Sequence, residues 1–139
     1  MSAIEEYESR IQRCWSLTVI EVKAQPGRPN SSAESVMRSE GERLLKAAPP
    51  DTLLVACAAD GRSMSSDEFA RWLGVQRDRA RGVTFVIGGA FGLSKEVRSR
   101  AGLSLALAPW TLSHELARLV LAEQLYRAAT ILAGHPYHK

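Results

Sequence analysis

The residues best suited to chemistry lie near the C-terminus of the chain. Glu123, Arg127 and Thr130 recur at i, i+4 and i+7 of a helical segment, so they share one stripe of it. The tail 134–139 adds two histidines and a tyrosine. A Glu–Arg pair at this spacing is either an ordinary helix ion pair or a pair that orients a substrate, and histidine can transfer protons near neutral pH. Spacing alone leaves both interpretations open, because polar tails are often frayed.

The sequence does not predict a metal site. His135 and His138 have only His114 as a further histidine, which is too few ligands. Cys14 and Cys57 are far apart in the chain and form no metal-binding pair, and a reducing cytosol disfavours a disulfide. We therefore expect both cysteines to be small core residues.

A glycine-rich loop is the second candidate site. The run Gly88-Gly-Ala-Phe-Gly92 follows an apolar segment directly and precedes a helix that starts near Ser94. Glycine lets the backbone adopt positive φ and approach a ligand closely. The spacing differs from the G-x-G-x-x-G of dinucleotide-binding proteins, and the loop lacks the lysine of a P-loop. A ligand-binding loop and a simple strand-to-helix turn both fit this pattern.

Hydrophobic periodicity and turn residues predict alternating helices and strands. Helices are predicted over 2–14, 33–47, 65–74, 94–100 and 114–133, with Gly74 and Gly134 ending two of them. Strands are predicted over 15–22, 52–58, 83–87 and 103–107, with a loop at 23–32 and a turn at Asp60-Gly61. Strands this apolar are typical of a parallel sheet covered by helices on both faces, so the fold class is α/β. We expect residues 1–139 to form one domain.

Composition and charge narrow the class of protein. Hydrophobic residues make up 45% of the chain and charged residues 24%, which excludes disordered and fibrous proteins. The chain has neither an apolar run that could span a bilayer nor a secretory signal at its N-terminus, so we expect a cytoplasmic protein. A net charge of +3 permits a nucleic-acid partner without requiring one.

The predicted C-terminal helix is apolar around most of its circumference. Its apolar residues are Leu116, Leu119, Val120, Leu121, Leu125, Tyr126, Ala128, Ala129, Ile131 and Leu132. A helix of this kind must be buried on more than one side. In so small a domain the second side is expected to face another subunit, so we predict a homodimer.

Several segments of the chain resemble a single protein family. They are Phe85-Val-Ile-Gly-Gly-Ala-Phe-Gly-Leu-Ser94, Leu103-Ser-Leu-Ala-Leu-Ala-Pro-Trp-Thr-Leu-Ser-His114, Leu121-Ala-Glu-Gln-Leu-Tyr-Arg-Ala128, the terminal His135-Pro-Tyr-His138, and Ser39-Glu-Gly-Glu42 in an early helix. The combination of a Gly-Gly-x-x-Gly loop, a Thr-Leu-x-His segment and a terminal His-Pro-Tyr-His is specific. On these residues the chain resembles the ribosomal RNA large subunit methyltransferase H family over nearly its whole length.

This resemblance implies a fold and an activity. The fold is the SPOUT fold, a mostly parallel sheet flanked by helices with a C-terminal trefoil knot, which is an exception to the usual absence of knots. Members of the family use S-adenosyl-L-methionine to methylate N3 of a pseudouridine in 23S large-subunit rRNA on the assembled ribosome. Two subunits share each active site. The chain is therefore expected to be an rRNA methyltransferase with the ribosome and a second copy of itself as partners.

The resemblance also implies roles for particular residues. The cofactor-binding positions carried onto this sequence are Cys57 (a leucine in relatives), Gly89, Leu107, Ala108, Pro109, Trp110, Thr111, Leu112 and Ser113. Their backbone groups are expected to hold the adenine, with Leu107 and Leu112 against its ring. The expected catalytic residues are Arg127, which orients the base or the backbone, and His138 or Tyr137, which relays the proton. His135 is expected to be structural, and Arg118 to contact RNA phosphate.

Two departures from the family pattern bear on function. The family normally opens with a β-strand, whereas this chain begins directly in its first helix, as an N-terminally shortened member does. Relatives often carry Pro-Glu in the glycine loop, where this chain has Ala90-Phe91, so we expect no carboxylate at that loop and a phenyl ring able to stack on a base. These departures keep two alternatives open: a paralogue that methylates a free nucleoside or small heterocycle, and a non-catalytic ribosome-binding module.

Overall fold

A computed structural model describes residues 1–22, 32–89 and 91–138 of the chain. The described residues form five helices and three strands. In chain order these are α1 (Ala3–Ile11), α2 (Ala33–Ala47), β1 (Leu53–Ser63), α3 (Ser66–Asp78), β2 (Val83–Ile87), α4 (Lys95–Arg100), β3 (Leu103–Ala106) and α5 (His114–Leu132). Within these described ranges, no helix combines the length and the apolar character needed to cross a membrane.

A serine caps the N-terminus of every helix in the described ranges. The five capping residues are Ser2, Ser32, Ser65, Ser94 and Ser113, and each side chain accepts a hydrogen bond from the backbone N–H three residues later. Glu68 completes a capping box with Ser65, because its carboxylate accepts a hydrogen bond from the Ser65 backbone N–H. These bonds satisfy backbone donors that a helix start leaves unpaired, which is why the sequence located the starts of α3, α4 and α5 correctly.

The three strands form a parallel sheet with β1 in the centre, in the order β2-β1-β3. Leu53 pairs with Val83 and Cys57 with Ile87 along one edge of β1, while Val55 pairs with Leu103 along the other. The crossover from β1 to β2 contains α3, and the crossover from β2 to β3 contains α4. The predicted α/β class and parallel sheet are therefore confirmed.

The core has two layers, one on each face of the sheet. Successive strand residues point to opposite faces, so Val55 and its neighbour Ala56 belong to different layers. The first layer packs β1 and β3 against α3 and α5 and contains Val55, Phe69, Ala70, Leu73, Leu105, Leu121 and Ala128. The second contains Ala56, Val86, Leu93 and Val97, with Leu44 and Leu45 of α2 packed against it. Both faces of the sheet are thus covered by helices.

The strand predicted over 15–22 is wrong. Residues 16–22 have no regular secondary structure, and Val19 and Ile20 are 44% and 54% exposed. Trp15 anchors the start of the segment, because its indole Nε1 donates to the carbonyl of Leu125 at 3.3 Å. β-Branched residues favour strands only where a neighbouring strand takes up their backbone groups, and the described residues place no strand beside this segment.

Two predicted element ends are also wrong. The turn at Asp60-Gly61 lies within β1, whose register against β3 shifts between Cys57 and Arg62, so the strand bulges instead of ending. Gly74 does not end α3. The helix continues to Asp78, and a Cβ at Gly74 would lie 3.0 Å from Leu132 Cδ2, so this glycine lets α5 approach closely. The loop predicted at 23–32 lies outside the described residues except for Ser32, which caps α2.

The two cysteines occupy different environments. Cys57 packs against the core layer between α3 and α5, as expected. Cys14 is exposed, so its prediction as a core residue is wrong. It follows the last turn of α1, where the buried position is taken by Ile11. Both thiols are free.

Candidate active site

The C-terminal tail folds back on α5 and places three predicted catalytic residues in one cluster. Arg127 lies at its centre: Nε donates to Glu123 Oε1 at 2.9 Å, and Nη1 lies 2.9 Å from His138 Nδ1. The Tyr137 hydroxyl donates to the same Glu123 oxygen at 3.2 Å. Arg127 also lies over the Tyr137 ring, 4.9 Å from its centroid. We call Glu123, Arg127, Tyr137 and His138 the tail cluster.

The two ring nitrogens of His138 face groups of opposite charge. Arg127 offers only donors, so the Nδ1 that faces it must accept. Nε2 lies 3.5 Å from Asp67 Oδ1, so its proton points to the first turn of α3. The tautomer that carries its proton on Nε2 satisfies both contacts. Asp67 had no signal in the sequence as a site residue, because only the fold brings it to the tail.

Glu123 connects the tail cluster to α3. Its second oxygen accepts from Gln124 Nε2 at 2.8 Å, and the Gln124 carbonyl oxygen accepts from Ser66 Oγ at 2.7 Å. The Glu123 carboxylate therefore receives bonds from an arginine, a tyrosine and an amide. It stabilises the charged guanidinium and raises the pKa of Arg127.

Tyr137 is held as a neutral phenol. Its hydroxyl lies 3.4 Å from that of Tyr7 in α1, and its ring meets Tyr126 edge to face at a centroid distance of 4.9 Å. The hydrogen bond to Tyr7, partial burial and the nearby negative charge of Glu123 raise the pKa of Tyr137 to about 12. At neutral pH this side chain is a hydrogen-bond donor. Tyr7 was not expected in the site, because no short-range pattern links α1 to the tail.

The glycine loop forms a tight backbone turn at the end of β2. Gly92 has φ +83° and its N–H donates to the Gly89 carbonyl at 3.0 Å. A Cβ on Gly88 would lie 2.7 Å from the backbone carbon of Gly92, so the two chain segments touch here. Phe91 is 54% exposed, whereas Ala90 lies outside the described residues.

A carboxylate from another element lies against this loop. A Cβ on Gly89 would be 2.6 Å from Oε2 and 3.2 Å from Oε1 of Glu40 in α2. The loop contributes none in the described residues, but α2 supplies one. No pattern in the sequence indicates this contact, since β1 and α3 lie between α2 and β2 along the chain.

The other predicted cofactor-binding residues gather at the same edge of the sheet. Cys57 pairs with Ile87 and with Leu105, so the ends of all three strands are adjacent. The loop 107–113 follows β3 there, and Trp110 at its tip is 78% exposed. Beside it, a cavity of about 290 Å³ is lined by Met64, Ser65, Ser66, Phe69, Leu105, Ala106, Leu107, Val120 and Gln124. Ser66 and Gln124 also connect to Glu123, so this cavity adjoins the tail cluster.

These residues fit an adenosine-containing cofactor. Among the described residues, no hydrogen bond uses the backbone groups of Ala108 to Leu112, which leaves donors and acceptors for the edge of a base. Leu107 and Leu112 are partly buried and offer apolar surface for its ring. At Gly92 a Cβ would meet nothing within 4 Å, so the backbone of the glycine loop is open to a ligand there. In α/β folds, the ends of parallel strands are where ligands bind.

Cys57 is not suited to nucleophilic chemistry. Burial raises the pKa of its thiol to about 12, so the thiol stays protonated at neutral pH. The described residues also contain no group of three or more His, Cys, Asp and Glu side chains arranged to hold a metal ion.

Arg118 lies away from the tail cluster, in contact with two carboxylates. Nε and Nη2 each lie 3.0 Å from an oxygen of Glu8 in α1, and Nη1 lies 2.6 Å from Glu21 Oε1. The hydrogen bond to Glu8 is the main cause of the raised pKa of this guanidinium. Arg118 therefore joins α1 to α5. Its role toward RNA phosphate stays a prediction.

The chain is similar to known proteins over nearly its whole length. A family model described as "Predicted SPOUT methyltransferase" matches residues 1–138. A protein of Gemmatimonas aurantiaca named "Ribosomal RNA large subunit methyltransferase H" is 58% identical over 137 residues, which cover 99% of this chain and 88% of that protein. Proteins with the same name from Rhodospirillum centenum and Carboxydothermus hydrogenoformans are 49% and 41% identical, over 97% and 98% of this chain and 86% and 88% of theirs.

Proposed function

The chain belongs to the SPOUT methyltransferase family, among the proteins of the ribosomal RNA large subunit methyltransferase H family, and on this basis we propose that it methylates N3 of a pseudouridine in 23S rRNA on the assembled large subunit. The methyl donor we propose is S-adenosylmethionine. The observation that carries the proposal is the 58% identity over nearly the whole chain to a relative with that rRNA-directed name. The adjacency of the strand-end loops to the tail cluster supports it.

The proposed reaction needs a cofactor held at the strand ends and a route for one proton. S-adenosylmethionine, when bound, supplies an electrophilic methyl group on a sulfonium. Backbone groups of residues 108–112 and of Gly89 hold the adenosine part, with Leu107 and Leu112 against the adenine. Positioning of this kind lowers the barrier by several kcal/mol, because it replaces a chance encounter by a fixed approach.

Tyr137 and His138 have different roles within the tail cluster. N3 of the base must lose its proton when it accepts a methyl group. Tyr137, with a pKa of about 12, is protonated at neutral pH and serves as a donor that orients the base. His138 is the group able to accept the proton, once base binding replaces the Arg127 donor at Nδ1. Arg127 then orients the base or its phosphate.

We further propose a single SPOUT domain over residues 1–139 that acts in the cytoplasm as a homodimer. The family implies the C-terminal trefoil knot, which the strand order by itself does not display. Trp110 and Leu116, 78% and 46% exposed, provide apolar surface beside the strand-end loops for a second copy. A cavity of about 290 Å³ is at the low end for a ligand pocket, which is consistent with a site completed by another subunit.

The test is methyl transfer from labelled S-adenosylmethionine to ribosomes purified from a strain that lacks the corresponding methylation. We expect one methyl group per 23S rRNA, located at N3 of a pseudouridine by mass spectrometry, and no transfer to free pseudouridine. Transfer to the nucleoside but not to ribosomes would identify the small-molecule paralogue. If calorimetry shows that the protein binds the cofactor but no methyl group is transferred, or if it shows no binding at all, the non-catalytic module is favoured.

A further inference from the structure

Glu40 lies beside the glycine loop, and the proposed reaction assigns no role to it. Its carboxylate lies against Gly89 at the end of β2, so close that a side chain on residue 89 would meet it at 2.6 Å. Glu40 is half-buried, and among the described residues it takes part in no hydrogen bond or ion pair. Both oxygens of this partly exposed carboxylate are therefore available to accept hydrogen bonds from a ligand at the loop.

The packing of α2 explains how the carboxylate reaches the loop. Gly41, the next residue, lies where a Cβ would overlap Ser94 Oγ and would lie 3.3 Å from Val97 Cγ2. This glycine allows α2 to lie directly on the start of α4. The preceding residue is thereby carried to the glycine loop that joins β2 to α4. In the segment Ser39-Glu-Gly-Glu42, Gly41 therefore permits the close packing of α2, and this packing brings the carboxylate of Glu40 to the loop.

We propose that Glu40 is a cofactor-binding residue whose carboxylate accepts hydrogen bonds from the ribose hydroxyls of the adenosine part. This inference rests on the proposed function, because it assumes an adenosine cofactor at the strand ends. The two carboxylate oxygens match the two neighbouring hydroxyls of a ribose, and an acidic residue near the glycine loop of an α/β sheet is a common ribose acceptor. Gly89 and the 107–113 loop, which are expected to hold the adenosine, lie at the same edge.

The alternative contact of a carboxylate with the sulfonium is disfavoured by the reaction itself. Methyl transfer removes the positive charge of the sulfonium. A carboxylate touching it would therefore stabilise the reactant more than the transition state and would raise the barrier. The ribose hydroxyls do not change during the reaction, so a carboxylate there holds the cofactor without this penalty. Glu40 should thus affect KM and leave kcat nearly unchanged.

The test compares Glu40→Gln with Glu42→Gln, which changes an exposed carboxylate in the same helix and serves as the matched control. Calorimetry measures binding of S-adenosylmethionine, S-adenosylhomocysteine and methylthioadenosine, which share only the adenosine group and its sulfur. For Glu40→Gln we expect affinity to fall about tenfold for all three ligands, with thermal unfolding unchanged. Glu42→Gln should bind like the wild type. With ribosomes as substrate, KM for the cofactor should rise for Glu40→Gln at constant kcat.

Every other outcome would contradict either the ribose contact of Glu40 or the proposed cofactor itself. A loss confined to S-adenosylmethionine would place Glu40 at the sulfonium, and a loss that spares methylthioadenosine would place it at the amino-acid end. Equal binding by Glu40→Gln and Glu42→Gln would remove Glu40 from the site altogether. If the wild type binds none of the three ligands, it is the proposed cofactor that fails. The failure of the inference is thus distinguishable from that of the function.

Discussion

At the scale of single residues, the tail cluster depends on the planar guanidinium of Arg127. It makes contacts in two directions, with Glu123 through Nε and with His138 through Nη1. It also lies over the ring of Tyr137. A lysine has a single ammonium group and cannot occupy both directions while covering an aromatic ring. The geometry of His138 and Tyr137 therefore depends on this arginine.

Arg127→Lys should keep the fold and lose turnover. We expect kcat on ribosomes to fall about 100-fold, because small misplacements of catalytic groups cost that much. Steady-state methyl transfer is the measurement. Arg100→Lys is the matched control, since Arg100 is exposed and pairs only with Glu96 in the same helix among the described residues. Equal loss of kcat in both variants would show that the guanidinium of Arg127 has no special role.

The raised pKa of Tyr137 predicts that the stability of the protein depends on pH. A tyrosine in the unfolded chain titrates near 10, whereas the pKa of Tyr137 in the fold is about 12. Because the fold favours the neutral phenol, its contribution is complete below pH 10 and is lost as the pH rises toward 12. Tyr137→Phe should show a shallower decline of the free energy of unfolding over that window, measured by urea titration. Tyr126→Phe is the control, since its hydroxyl makes no hydrogen bond in the described part of the chain. An equal slope in wild type and Tyr137→Phe would contradict the assignment.

At the scale of elements, close backbone approaches decide how the strands end. Gly61 lies in the bulged part of β1, where a Cβ would be 2.7 Å from the backbone carbon of Ser104 and 2.8 Å from the N of Leu105. These are backbone atoms of β3, which cannot move aside as a flexible side chain can. The bulge thus requires a glycine, and beyond it Arg62 and Ser63 pair again with β3 before α3 begins.

Gly61→Ala should destabilise the protein by about 1–3 kcal/mol, the usual cost of forcing an extra carbon into a packed region. Urea unfolding monitored by circular dichroism measures it. Ala59→Ser, an exposed substitution in the same strand, should stay within about 0.5 kcal/mol of the wild type. If Gly61→Ala matched that control, β1 and β3 would not be in such close contact in solution.

At the scale of the whole molecule, Arg118 joins the two ends of the described chain. It connects Glu8 in the first helix to the last helix, and the side chains of Arg118 and Glu8 are only 25% and 18% exposed. Such an ion pair is screened less than one at the surface. It fixes α1 against α5 and thereby also positions Tyr7, which contacts Tyr137.

Arg118→Gln should lower the free energy of unfolding by about 1–3 kcal/mol, because it leaves the carboxylate of Glu8 without its charged partner. Arg38→Gln, which removes an exposed pair with Glu34, should change it by less than about 0.5 kcal/mol. Both are measured by urea unfolding. If Arg118→Gln kept full stability but weakened ribosome binding with a smaller salt dependence, its main role would be phosphate contact instead.

Local signals in the sequence determined much of this protein. Hydrophobic periodicity and turn residues located the helices, the apolar runs located β1, β2 and β3, and their character identified a parallel sheet. The residues of the glycine loop, of the loop 107–113 and of the tail were recognised from motifs. These features depend on neighbours in the chain, which a sequence displays directly.

The tertiary structure alone decided which distant groups meet. The segment 15–22 has a strand-like composition, but a strand needs a partner, and none of the described strands lies beside it. Asp67 reaches His138, Tyr7 reaches Tyr137 and Glu40 reaches Gly89 only because the helices pack against one another and against the sheet. Such contacts join residues far apart along the chain, and no periodicity or spacing encodes them. The sequence therefore named the catalytic candidates, while the fold supplied the groups that hold them in place.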